Sequence, residues 1–201
     1  MLSSLVLEFT FSGSTPEDAA AFLIHHSYPH TADHSSQVAQ TAAQVARQFD
    51  ADPDGAFLAG WLHDISAVVP NAQRLQAAQQ LGLEILPEEE TVPLLLHQKI
   101  SAVMARQLFG VEDEQVLHAI GCHTTLHPQP ATMDLVLFVA DKLAWDQKGT
   151  PPYAARLKTA LTHSLEEAAW VYQDYLWHSG KIKIIHPWMQ ASYQELQQRF
   201  G

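Results

Sequence analysis

Six side chains in this sequence stand where burial is costly unless a charged partner joins them: His34, His63, Asp64, His97, His123 and Asp141. Residues 60–66 read GWLHDIS, so His63 and Asp64 sit side by side among Trp61, Leu62 and Ile65, residue types that belong in a core. Asp141 follows the run LVLFVA at 135–140, where an unpaired carboxylate would stay protonated or be strongly destabilising. His97 follows Pro93-Leu94-Leu95-Leu96. A single histidine on an apolar face is ordinarily a satisfied core residue. Six such groups together point to cations, because imidazole and carboxylate are the nitrogen and oxygen donors that Zn, Fe, Mn and their neighbours accept. Adjacent helical residues point about 100° apart, so His63 and Asp64 can face one cavity without competing for one coordination position. One aspartate can bridge two ions. Two ions about 3.5–4 Å apart that share a water generate hydroxide near neutral pH and clamp a phosphoryl group. The expected chemistry is hydrolysis of a phosphoester or phosphoanhydride, with Asp64 and His63 as candidate catalytic residues and all six as candidate metal ligands.

Residues so far apart in sequence must be brought together by the elements that carry them. Thr15, with Pro16, Glu17 and Asp18 in the first turn, starts a helix that runs to about Ser27. The next begins near Thr31 or Asp33 and turns Val38, Ala42, Val45, Ala46 and Phe49 toward one face before Asp50. Asp52 and Pro53 cap another, which carries His63 and Asp64. Helical patterns follow over 71–81, 93–109, 113–122 and 131–146, the first two stopped by Gly82 and Gly110. After Pro151-Pro152 one long pattern is expected to reach Ser179, and Pro187 opens a short last helix. Residues 5–11, LVLEFTF, and Lys181–Ile185 are the segments where a strand is conceivable. The expectation is an all-α helical bundle, with an N-terminal arm over 1–15 and one domain over 16–201.

Composition limits the partners. The formal net charge of −11 leaves no basic footprint for a nucleic-acid duplex or an anionic membrane surface. Cys122 is the only cysteine and cannot form an internal disulfide, the opening MLSSLVLEF has no basic region before an apolar core, and no apolar run is long enough to span a bilayer, so the cytoplasm is expected. A homodimer is the assembly that soluble homo-oligomers adopt most often. Of the 12 histidines, His25, His26, His118, His163, His178 and His186 read as structural, with no convergent partner in sequence.

The order His34, His63-Asp64, His97, His123, Asp141 resembles the HD-domain superfamily of metal-dependent phosphohydrolases, whose signature is H…HD…H…H…D, over about residues 16–198. Within it the chain is most similar to the YqeK-like branch of symmetrical diadenosine tetraphosphate hydrolases. The matching stretches are HTADHSSQVAQTAAQVARQF, AGWLHDIS, LLLHQKISAVMARQLFGVED, HAIGCHTT and LVLFVADKLAWD. The resemblance implies an all-helical fold, two divalent metals, commonly iron, and cleavage of a nucleotide substrate into two ADP. Carried over by position, His34, His63, Asp64 and Asp141 would hold one ion and Asp64, His97 and His123 the other, with Asp64 bridging.

The substrate side departs from that pattern. Ala67 stands where the family usually has a lysine, His127 closes the stretch that usually reads HTxGR, and Gln147 stands where the second arginine is usual. Neither His127 nor Gln147 reproduces the bidentate fork of arginine on phosphate. Thr124, His127, Lys99 and Lys142 are the candidate substrate-binding residues, with Lys148 and Arg106 as further sources of charge and Trp145 as a stacking surface for a base. Nitrogen and oxygen ligands also admit Mn, Zn, Co or Mg. Another nucleotidase or phosphodiesterase, or a metal-binding regulatory module without turnover, fits the same six residues.

Overall fold

The computed structural model describes residues 2–201 as helices α1 (Leu2–Leu5), α2 (Thr15–His25), α3 (Pro29–Gln48), α4 (Pro53–Leu62), α5 (Arg74–Gln80), α6 (Pro87–Thr91), α7 (His97–Phe109), α8 (Glu114–Cys122), α9 (Thr132–Leu143), α10 (Ala154–Leu161), α11 (Leu165–His178) and α12 (Pro187–Phe200). Short 3-10 turns lie at Ile65–Val68, Asn71–Gln73 and Pro93–Leu96. Among the described residues there is no strand, and no helix is long and apolar enough to cross a membrane.

The centre of the bundle is α9, whose residues from Met133 to Ala140 are all buried. That explains the run at 135–140, since a helix covered on every side needs no polar face. It packs on α3, α4, α8 and α11. Helices α3 and α4 meet through small residues: Ala39, Ala42 and Ala43 on one, Ala56, Ala59 and Gly60 on the other, all buried. A Cβ added at Gly60 would lie 2.4 Å from Ala39 Cα, backbone that cannot swing aside. Gly60→Ala is therefore expected to destabilise by at least the ~1–3 kcal/mol typical of overpacking. An unchanged melting temperature would contradict this close approach.

Several boundaries differ from the sequence reading. Residues 5–11 form no strand; Leu5 ends α1, a turn follows, and the Phe9 and Phe11 rings pack edge-on against Phe22 and Phe109 at 5.3 and 5.4 Å. Residues 181–185 are likewise irregular, because an alternating segment without a neighbouring strand has no ladder to join. The long pattern expected to reach Ser179 is two helices: the chain breaks after Leu161, and the Ser164 hydroxyl accepts from Glu167 N at 3.0 Å to start α11 afresh. The 131–146 pattern stops at Leu143, and α12 is 14 residues long rather than short.

Candidate metal centre

His34 projects from the second turn of α3, His63 and Asp64 follow the end of α4, His97 begins α7, His123 follows α8, and Asp141 sits in the last turn of α9. Three histidines are oriented the same way. Nδ1–H donates to the carbonyl three residues earlier: His63 to Gly60 at 2.8 Å, His97 to Leu94 at 2.7 Å and His123 to Ile120 at 2.8 Å. A carbonyl only accepts, so the proton is on Nδ1 and each Nε2 carries a lone pair.

Those lone pairs converge. His63 Nε2 is buried with no hydrogen-bond partner, 3.6 Å from Asp64 Oδ2 and 3.8 Å from Asp141 Oδ1. His97 and His123 Nε2 lie 3.1 Å apart, and Asp64 Oδ1 is 3.4 and 3.6 Å from them. His34 Nε2 is 3.2 Å from Asp141 Oδ1. The donor atoms of His34, His63 and Asp141 all lie within 4.8 Å of one another, as do those of His63, Asp64 and His123. Two facing imidazole lone pairs and an orphaned third, beside two carboxylates, are repulsive without a cation between them. The donor set fits hard to borderline divalent ions.

Charge states agree with this. Burial would push the Asp64 carboxyl up, but His63, His97 and His123 hold it well below the usual carboxylate range. Burial opposes ionisation of Asp141 also, and Lys142 with His34 overcomes it. His97 is pushed down to about 4 by burial, so at neutral pH it is an uncharged imidazole.

The structure separates the residues expected to bind substrate. Thr124 Oγ1 is 3.0 Å from His97 Nε2, inside the cluster. Lys142 is buried, bonded to Asp141 Oδ2 and donating to the His123 carbonyl at 3.1 Å. Lys99 and His127 lie elsewhere: both line a cavity of about 340 Å³ with Trp188, and Lys99 Nζ is paired with buried Glu89 at 2.8 Å. Arg106 is paired with Glu114 at 2.7 Å, and Lys148 is exposed. Trp145 lines a cleft of about 160 Å³ beside His34, Asp141 and Lys142, together with Asp146, Gln147, Tyr153 and Tyr172. The Trp145 indole N–H is buried and has no acceptor.

Sequence reasoning missed Arg74, the one charged residue in the 71–81 pattern. Its guanidinium is buried, donates to the Val69 and Leu94 carbonyls at 3.2 Å each, and acts electrostatically on both Asp64 and His97. Leu94 O thus accepts from Arg74 and from His97 Nδ1. Gln98, fully buried, accepts from Thr124 N and Thr125 N at 3.0 and 3.3 Å, and Ser66 Oγ donates to the His97 carbonyl at 2.8 Å. Groups that orient a ligand in this way typically change metal affinity or activity about 10–100-fold. Arg74→Met is expected to fall in that range with the fold retained, read as metal content and rate together.

Comparison with known proteins gives a match to the HD domain model over residues 31–146, a span that contains all six residues of the cluster. A Lactococcus lactis subsp. cremoris protein named "Uncharacterized protein in pepC 5'region" is 42% identical over 146 residues, 73% of this chain and 74% of that one. The symmetrical bis(5'-nucleosyl)-tetraphosphatase of Halalkalibacterium halodurans is 32% identical over 179 residues, 87% of this chain and 90% of that one. The crystal structure of a predicted HD superfamily hydrolase involved in NAD metabolism from Clostridium acetobutylicum superposes with a TM-score of 0.83 at 23% identity, covering 91% of this chain and 97% of its own.

Proposed function

The chain belongs to the HD-domain family, and from that membership we propose that it hydrolyses symmetrical dinucleoside polyphosphates, taking diadenosine tetraphosphate to two ADP, with His34, His63, Asp64, His97, His123 and Asp141 as ligands of two divalent ions. The observation that carries the reading is the convergence of three Nε2 lone pairs, each fixed by a carbonyl behind it, on Asp64 and Asp141. Ions bound there supply Lewis acidity to phosphoryl oxygens and a strong nucleophile from water.

The chain's own groups do the rest. Asp64 presents Oδ2 toward His63 and Oδ1 toward His97 and His123, which suits a carboxylate shared between two positions. Lys142 keeps Asp141 ionised and is itself tied to the His123 carbonyl, so it stiffens the ligand set rather than reaching for phosphate. Arg74, held by the Val69 and Leu94 carbonyls, supplies positive potential near Asp64. Trp145, with Tyr153 and Tyr172, offers aromatic surface for a base in the adjoining cleft. Iron is our choice of metal, on family resemblance, and the cytoplasm our choice of compartment, because the substrate is a nucleotide and the one cysteine is free and buried.

Protein loaded with iron or manganese is expected to convert diadenosine tetraphosphate to ADP as sole product. Asymmetric products would move the cut, cleavage of mononucleotides or cyclic nucleotides alone would favour another HD nucleotidase or phosphodiesterase, and metal occupancy without cleavage would favour a regulatory module. Elemental analysis of freshly purified protein identifies the ion.

A further inference from the structure

A second group of side chains with metal-ligating donor atoms lies outside the cluster that holds Asp64. His118 and Cys122 are one turn apart on α8 and share a face, and Asp134 in the first turn of α9 comes against them. Their donor atoms all lie within 4.8 Å of one another, with His118 Nδ1 2.8 Å from Asp134 Oδ1. Asp134 and Cys122 are each 1% exposed, whereas the His118 side chain is 51% exposed. The sequence reading gave His118 no partner; the fold supplies two. His118, Cys122 and His127 also line the 340 Å³ cavity, so the group has an open side.

We propose that His118, Cys122 and Asp134 bind a divalent cation of zinc's class, with a fourth coordination position facing the cavity. One nitrogen, one sulfur and one carboxylate oxygen make a donor set that zinc accepts, and three protein ligands leave room for a water or an exogenous ligand. On binding, the thiol proton leaves to solvent, and thiolate plus carboxylate balance the two positive charges of the ion. The cation would span the base of the loop between α8 and α9, in which Leu126 and Gln129, neither of them glycine, adopt φ of 58° and 53°. Left-handed backbone at two non-glycine residues is held only where the surroundings impose it.

Cys122 is the one cysteine of the chain, which gives the test its specificity. Cobalt(II)-loaded wild-type protein is expected to show a near-ultraviolet sulfur-to-cobalt charge-transfer band. Asp64→Ala should keep that band, and Cys122→Ala and His118→Ala should lose it together with one equivalent of metal. His118 is half exposed, so its variant is expected to fold even if the buried cysteine cannot be changed. Cobalt uptake by the wild type without the band overturns the proposal. So does loss of the band in Asp64→Ala, which would assign the sulfur to the other centre, or a metal count in His118→Ala equal to wild type.

Discussion

Replacing Asp64 by alanine is expected to empty at least one cation position and to lower turnover by more than the ~10–100-fold typical of residues that only support a ligand. The reason is geometric. The two oxygens of Asp64 serve different histidines, and the remaining carboxylate of the cluster, Asp141, is already engaged by Lys142 and His34. The fold should survive, because Asp64 is partly exposed and its removal leaves His63, His97 and His123 with their Nδ1 hydrogen bonds intact. Activity and stability thus separate: at least one equivalent of metal and ADP release are lost while the melting temperature moves little. His163→Ala is the control. That side chain is 60% exposed and pairs with Glu167 one turn along its surface, so its loss should leave the rate within error. Asp64→Ala protein with full metal content and a wild-type rate would end the assignment of the six residues as ligands.

The ligand candidates were legible because each breaks a local rule: charge or imidazole inside an apolar run stands out against its neighbours, as Asp141 does after LVLFVA. Helix starts were legible where a cap stands beside proline, as at Asp52-Pro53. What surrounds the cluster was not legible, because adjacency in sequence is not adjacency in space. Lys99 is two residues from His97, but two steps on a helix turn the side chain by about 200°, and it faces the cavity on the far side of α7, held by Glu89. Arg74 lies more than 20 residues before His97 in a helix of alanines and glutamines, yet it shares the Leu94 carbonyl with that histidine. The break between α10 and α11 hid for a different reason. Residues 162–164 carry neither glycine nor proline, and the stop depends on a serine cap that is equally tolerable inside a helix.

Asp141→Asn is expected to do two separable things, and a double variant distinguishes them. Asp141 is both a proposed metal ligand and the counter-ion of Lys142, which is buried to 9% exposure. Burial alone would push the Lys142 ammonium down, and Asp141 is what holds it up. With the carboxylate gone, the lysine must either stay charged without an anion or give up its proton. Breaking one side of a buried pair typically costs about 3–5 kcal/mol. The Phe138 and Tyr172 rings, 4.6 and 5.4 Å from Nζ, would recover part of that if the charge stays. Asparagine also removes the negative charge beside His34 and His63, so the cation they would share loses a charged donor. Asp141→Asn should therefore melt at a lower temperature and bind less metal. Adding Lys142→Met removes the unpaired ammonium and should restore most of the melting temperature, while metal content and turnover stay low. Recovery of both together would make Asp141 a structural partner of Lys142 and nothing more. Recovery of neither would mean that the long apolar side chain does not fill the space lysine occupies. The separation of the two readouts is what a carboxylate with two roles requires.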